Sequence, residues 1–255
     1  MTKNHGFFLH FEFCPVFLYC QPVMKTKITV IFFLITLSLY AQYNGNKFEI
    51  TANYIYTATS KLFLQPNSSD PIIRGTHENL DGIWSYSGEI GYRAYEDIVI
   101  GLGIEYIKKT FTNRNMNLGG VRAVMNDGYE VIPVNLTVYY TLPFSTEFFK
   151  FFMAGGGGLY FGSHIRQLGN VTASTISRKI GYGIHVAVGM DYIFHKRFAL
   201  RTQMRFRNPE FEMKNKYSSN LVNYDGRTFL LSTDTFDSKV DIDGVSFVVG
   251  ILFQF

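Results

Sequence analysis

KIGYGIHVAVGMDY, residues 179–192, alternates without a break. One face carries Ile180, Tyr182, Ile184, Val186, Val188, Met190 and Tyr192. The other carries Gly181, Gly183, His185, Ala187, Gly189 and Asp191. A period of two is the mark of a β-strand, whose successive side chains point to opposite sides. The second face decides what kind of strand this is. A face turned to bulk water carries lysine, glutamate and threonine, whereas this one is small and sparsely charged, like the crowded inside of a narrow barrel. The unbroken apolar face must then meet something apolar, and lipid fits. DIVIGLGIEYIKK (97–109) repeats the pattern, with Ile98, Ile100, Leu102, Ile104 and Tyr106 opposed to Val99, Gly101, Gly103, Glu105 and Ile107.

The same alternation recurs at 47–57, 83–95, 129–141, 148–162 (of undetermined facing), 198–208 and 245–255, which makes eight strands. Short connections at 95–97, 142–147 and 194–197 alternate with long polar ones at about 58–82, 110–127, 163–178 and 208–239. Three short turns and four long loops put both ends of the barrel at the short-turn side. The expected fold is all-β: an eight-stranded antiparallel up-and-down transmembrane β-barrel with long loops on one side. A soluble lipocalin-type barrel has as many alternating strands, but its outer face is wet. Aromatic residues gather near strand ends and suggest two interfacial girdles. Trp84, Tyr86, Tyr106 and Phe111 lie toward the long loops; Tyr92, Tyr95, Tyr139, Tyr140, Phe144, Tyr192 and Phe198 lie toward the short turns.

Before this domain, MKTKITVIFFLITLSLYAQ begins at Met24 with two lysines, an apolar run from Ile28 to Leu39, and then Tyr40, Ala41 and Gln42. This is the secretory-signal pattern. We expect a cleavable signal peptide over 24–41, cleavage after Ala41, and a barrel domain over 42–255. Residues 1–23 have no clean period and read as an N-terminal extension from a misassigned start. Both cysteines, Cys14 and Cys20, lie there, so the mature chain would have none and no disulfide staples. The net charge of +4, with no long lysine or arginine cluster, argues against nucleic-acid binding.

The chain closes on VDIDGVSFVVGILFQF (240–255), with Val245, Phe247, Val249, Ile251, Phe253 and Phe255 on one face. A signal, eight alternating strands and an aromatic last strand resemble the small bacterial outer-membrane β-barrel proteins, the broad group with OmpX-, OmpW- and OmpA-type barrels. The resemblance implies an outer-membrane location. It also implies that the barrel-assembly machinery reads the final strand, with Phe247, Phe253 and Phe255 as the signal. Closing the first strand against the last removes a free sheet edge, which lipid does not tolerate.

Motifs for chemistry are sparse. GGGG at 155–158 lacks the Gly-Lys-Ser/Thr of a phosphate loop. The isolated aspartates of VDIDG and MNDG lack calcium-loop spacing, and no HExxH or cysteine pair suggests a metal. No cofactor is expected. Some outer-membrane barrels modify lipid A with Ser, His and a carboxylate, for which Ser163, His164, His185, Ser246 and Glu105 are the candidates. Ser163 and His164 are adjacent and point to opposite faces if extended, so an enzyme is not expected. Eight strands leave a bore just wide enough to be filled by side chains. The inward-facing polar residues that fill it are expected to be Glu49, Asn53, Glu89, Arg93, Glu105, His185, Asp191, Arg201, Gln203, Arg205 and Arg207. Of these, Glu49, Glu89, Glu105, His185, Arg201, Arg205 and Arg207 are expected to form a polar network centred on Arg205 with Glu105 or Glu89. The function this supports is non-enzymatic, exercised through the loops in surface interaction or envelope integrity, with lipid and a possible surface ligand as partners. The alternatives are an OmpW-like conduit for small apolar molecules and a lipid A-modifying enzyme.

Overall fold

The computed structural model describes residues 46–255 except Thr233, with the backbone alone at Arg114 and Asn115. The expected extension (1–23), signal peptide (24–41) and cleavage point lie outside the described residues. Within them the chain is antiparallel sheet with a single turn of helix. The strands are β1 (Phe48–Thr57), β2 (Lys61–Phe63), β3 (His77–Asn79), β4 (Ile83–Tyr95), β5 (Ile98–Leu118), β6 (Val121–Thr141), β7 (Phe149–Leu168) and β8 (Val171–Arg178). They continue with β9 (Gly181–His195), β10 (Phe198–Arg207), β11 (Glu210–Tyr217), β12 (Leu221–Tyr224), β13 (Arg227–Leu230), β14 (Phe236–Asp241) and β15 (Gly244–Gln254). The helix, α1 (Pro71–Gly75), starts where Asp70 accepts a hydrogen bond from the Ile72 amide.

The pairing closes on itself. Neighbours run β1–β4–β5–β6–β7–β9–β10–β15, and β15 pairs back onto β1 from Glu49↔Gln254 to Thr57↔Ser246. Phe48 and Phe255 exchange two backbone hydrogen bonds, 3.0 and 2.9 Å, at the end that holds the short turns. Closure leaves no unpaired edge along this ring, which a strand bathed in lipid requires.

Faces follow the alternation. Ile50, Tyr54, Ile90, Ile100, Leu102, Leu136, Val138, Val186, Val249 and Ile251 are all exposed on the outside. Tyr182 and Ile184 are 81% and 74% exposed. β7, whose facing the sequence left undetermined, turns Phe149, Met153, Leu159 and Phe161 outward and Phe152, Ala154 and Tyr160 inward. Two girdle assignments are corrected. Tyr139 and Tyr140 are consecutive, so both cannot face lipid, and Tyr139 is the one that points into the bore. Phe111 is likewise turned inward, against a buried core.

The count of eight strands joined by long loops is corrected as well. One sheet holds thirteen strands, and β12–β13 form a separate hairpin. Every expected long loop contains strand. β5 and β6 run on as one hairpin across Gly119 and Gly120, both left-handed (φ 57° and 97°), a turn that glycine closes without strain. β2, β3, β8, β11 and β14 extend β1, β4, β9, β10 and β15 after breaks of two or three residues, one of them at Pro209. Proline cannot donate to a ladder, so the break falls there. These extensions build a distal sheet through β7–β8, β8–β11, β11–β14, β14–β2 and β2–β3.

Candidate functional site

The bore is filled in layers. At the turn end Arg201 is the hub. Its Nε and Nη2 donate to the Asp191 carboxylate at 2.8 and 2.9 Å, and Nη2 also reaches Glu49 at 3.2 Å. Its Nη1 stands 3.6 Å from Glu89. The guanidinium lies over the rings of Tyr139 and Phe152, 4.7 and 5.1 Å from their centroids. Tyr139 in turn donates to Glu89 at 3.0 Å. Arginine suits this place because its fork takes a carboxylate with two donors while its flat face stacks on aromatics.

The second layer centres on Glu105, which has no solvent exposure. Its Oε2 accepts from Arg205 and Arg207, each at 2.9 Å, and its Oε1 accepts from Ser85 at 2.7 Å. Arg207 also donates to Thr57, which bonds Ser246 across the β1–β15 seam. His185 meets Thr137 at 2.9 Å. Glycines make room for these groups. A Cβ on Gly101 would fall 2.9 Å from the Glu89 carboxyl, and one on Gly156 would fall 2.9 Å from the His185 ring.

The structure therefore divides the seven expected network residues between two layers. Glu49, Glu89 and Arg201 come together in one; Glu105, Arg205 and Arg207 come together in the other, with His185 held by Thr137. Glu89 lies with Arg201 and Tyr139, and the carboxylate that meets Arg205 is that of Glu105. Tyr139, placed by sequence in the outer girdle, is a structural partner that the expected network omitted. Asp191, read as inward-facing, stands directly across from Arg201 in register.

Above Glu105 an apolar layer crosses the bore, with Ile107, Tyr129, Tyr160 and Phe211 fully or almost fully buried. Above that lies a polar cluster in the distal sheet, formed by Asp127, His164, Arg166 and Asn215. A last apolar cluster of Leu118, Met125, Leu168, Val222 and Leu231 tops it. His164 is enclosed and Ser163 is on the opposite face of β7, so these two expected enzyme candidates do not converge. Beside the cluster is a cavity of about 390 Å³ lined by Leu64, Met116, Met125, Arg166, Tyr217 and Phe236.

Phe247 is exposed on the outer face of β15. Phe253 stacks on Phe255 and packs against Phe198, while Phe255 also stacks on Phe48. These aromatics join the last strand to its neighbours on both sides.

A closed antiparallel ring, apolar outside and packed with ion pairs inside, defines the small outer-membrane β-barrel class. Of the solved structures compared, one supports the fold. The outer-membrane protein OprG from Pseudomonas aeruginosa is similar with a TM-score of 0.55 and 12% identity, over 83% of this chain and 96% of that one. Ail, the attachment invasion locus protein of Yersinia pestis, gives 0.44 and 9%, over 83% and 100%. Neisserial surface protein A gives 0.43 and 13%, over 83% and 100%. No protein-family model matches the chain, and no curated protein sequence matches it.

Proposed function

We propose that this chain resides in the outer membrane and acts without catalysis, as a barrel with a filled bore whose distal sheet serves surface interaction or envelope integrity. The observation that carries this reading is the combination of an apolar outer belt with two ion-pair layers and an apolar layer inside. A lone buried charge in so narrow a space is costly, so charges that are each paired across the bore suit a structural plug better than a conducting path. In this reading the eight strands of the ring cross the membrane, the turn end faces the periplasm, and Phe247, Phe253 and Phe255 are read by the barrel-assembly machinery. The enclosure of His164 and the divergence of Ser163 count against lipid A chemistry. The test is ion conductance of the purified protein in planar bilayers. We expect no steady large conductance; a steady open channel would replace this reading with a pore.

A second reading is a conduit for small apolar molecules. The cavity of about 390 Å³ supports it by its volume, near the lower end of ligand pockets, about 300–1,000 Å³. It also supports it by an apolar part of its lining, Leu64, Met116, Met125, Tyr217 and Phe236, which stands beside the polar Gln65, Asn113, Asn117, Arg166 and Asp234. The apolar layer below that cavity would have to open. Faster entry of a neutral apolar solute into protein-bearing liposomes than into empty ones would support it; equal rates would remove it.

A further inference from the structure

The distal polar cluster is assembled from five strands. Asp127 comes from β6, His164 and Arg166 from β7, Thr175 from β8, Asn215 from β11 and Ser238 from β14. His164 Nε2 lies 2.6 Å from Asp127 Oδ1. Arg166 grips the same carboxylate through Nη2 at 2.6 Å and Nε at 3.2 Å. On the far side of the imidazole, Asn215 Nδ2 lies 3.2 Å from His164 Nδ1.

The Asn215 amide is fixed by its other partners. Its Nδ2 donates to Ser238 Oγ at 2.9 Å, and its Oδ1 accepts from Thr175 Oγ1 at 2.9 Å. An amide set this way offers His164 a donor, so Nδ1 must accept. The proton then sits on Nε2 and is donated to Asp127. The arrangement specifies one neutral tautomer of His164 and satisfies every member of the cluster.

We propose that His164 is an acid-operated latch, tying these five distal strands together when neutral and releasing them when it gains a proton. A proton on Nδ1 faces the N–H of Asn215, which places two donors head to head. The amide must then turn over or the contact must break. Turned over, Asn215 accepts from His164 and Ser238, but its Nδ2 now points at Thr175 Oγ1. That hydroxyl already accepts from the His164 backbone amide at 3.1 Å, and its own proton loses the acceptor it had. Asp127 is at the same time shared between two cations, which loosens the hold of Arg166.

The groups facing His164 permit this reading. From its own strand comes Arg166, and from β6 comes Asp127. From β8, β11 and β14 come the uncharged Thr175, Asn215 and Ser238, with the Phe236 ring edge-on at 5.9 Å. Tyr217, a further titratable neighbour, packs tilted against Phe236 at 5.2 Å. The cluster lies in the distal sheet, three residues past the outward Phe161. Burial, opposed by Asp127 and aided by Arg166, holds His164 below its ordinary value of 6.5, so the neutral latch is the resting state.

The test is nitrogen NMR of histidine in the intact barrel, together with amide hydrogen exchange along the distal strands. At pH 7 His164 should show the neutral form with the proton on Nε2. Acidification should protonate it and, after correction for intrinsic rates, speed exchange in β8, β11 and β14 but not in the β1–β15 seam. Asn215→Asp presents an acceptor to Nδ1 in either orientation. It should move the midpoint to higher pH and abolish the step in exchange. A proton on Nδ1 at pH 7 in the wild-type protein would overturn the latch. So would an exchange step at the same pH in wild type and Asn215→Asp.

Discussion

Removing the Glu105 carboxylate tests the filled bore most directly. Glu105 is fully buried and receives Arg205, Arg207 and Ser85, all within 2.9 Å. Glu105→Ala strands two buried guanidiniums, and breaking a buried pair by deleting one partner costs about 3–5 kcal/mol. At about 1.4 kcal/mol per tenfold, that lowers the folded-to-unfolded ratio about a thousandfold. Arg205→Ala should cost less, because Glu105 keeps Arg207. The double variant should cost less than the sum of the two, since Arg205 has lost its partner once Glu105 is gone. The assay is urea unfolding in detergent or lipid, with the barrel followed by its heat-modified mobility. Residues in contact show a coupling of about 0.5–3 kcal/mol, while independent sites add within about 0.3–0.5 kcal/mol. Additive losses for Glu105→Ala and Arg205→Ala would refute the second ion-pair layer.

Further outcomes are expected elsewhere. Phe255→Asp should reduce the inserted, protease-resistant barrel while export continues. A lipid-exposed acid near an interface costs only about 0–1 kcal/mol, so a severe defect would point to recognition rather than burial. Gly156→Ala drives a methyl against His185 and the Leu136 carbonyl and should destabilise by about 1–3 kcal/mol in the same unfolding assay. Acid should weaken the distal sheet in two stages. His164 sits below 6.5 when folded, so its share is complete above 6.5 and is lost as pH falls toward the folded value. Burial works to raise Asp127, but its His164 hydrogen bond and Arg166 outweigh this and hold it below 3.8. Its share is therefore lost only below 3.8. Distal protease resistance that stays flat from pH 7 to 3 would contradict both. N-terminal sequencing of the membrane-extracted protein should begin at Gln42; a mature chain that retains Cys14 or Cys20 would end the signal-peptide reading.

The belt was legible because lipid imposes one demand on every outward position. In residues 179–192 the apolar face and the small face point outward and inward as their chemistry requires. The strand ends at the short turns were legible for a similar reason, since three tight connections fix where the termini meet. Beyond the belt that demand lapses. Arg122, Asn126 and Glu130 face water on the outside of β6, while Ala123, Met125 and Val131 face inward. A strand that is polar outside and apolar inside looks like a loop when only an apolar outer face is sought. The distal cluster was out of reach for another reason. Its six residues come from five strands and stand up to 111 positions apart, as Asp127 and Ser238 do, and no local spacing brings them together. In the bore, by contrast, Asp191 and Arg201 are joined by one short hairpin, so register alone pairs them.

The length of the β5–β6 hairpin has a consequence for what the surroundings meet first. From Lys108 to Leu118, eleven residues of β5 continue past the last outward aromatic, Tyr106. At about 3.4 Å per residue they form about 37 Å of strand, or about 28 Å of height if they keep a tilt of about 40°. In the proposed outer-membrane setting, a folded pillar of that height lifts the Gly119–Gly120 tip clear of the lipid headgroups and into the zone of surface sugars. An antibody, phage fibre or host protein would then touch this tip and the Asp225–Gly226 turn of the β12–β13 hairpin. Variation that alters recognition, and labels meant to report on intact cells, belong at those two turns, where neither the belt nor the ion-pair layers are disturbed.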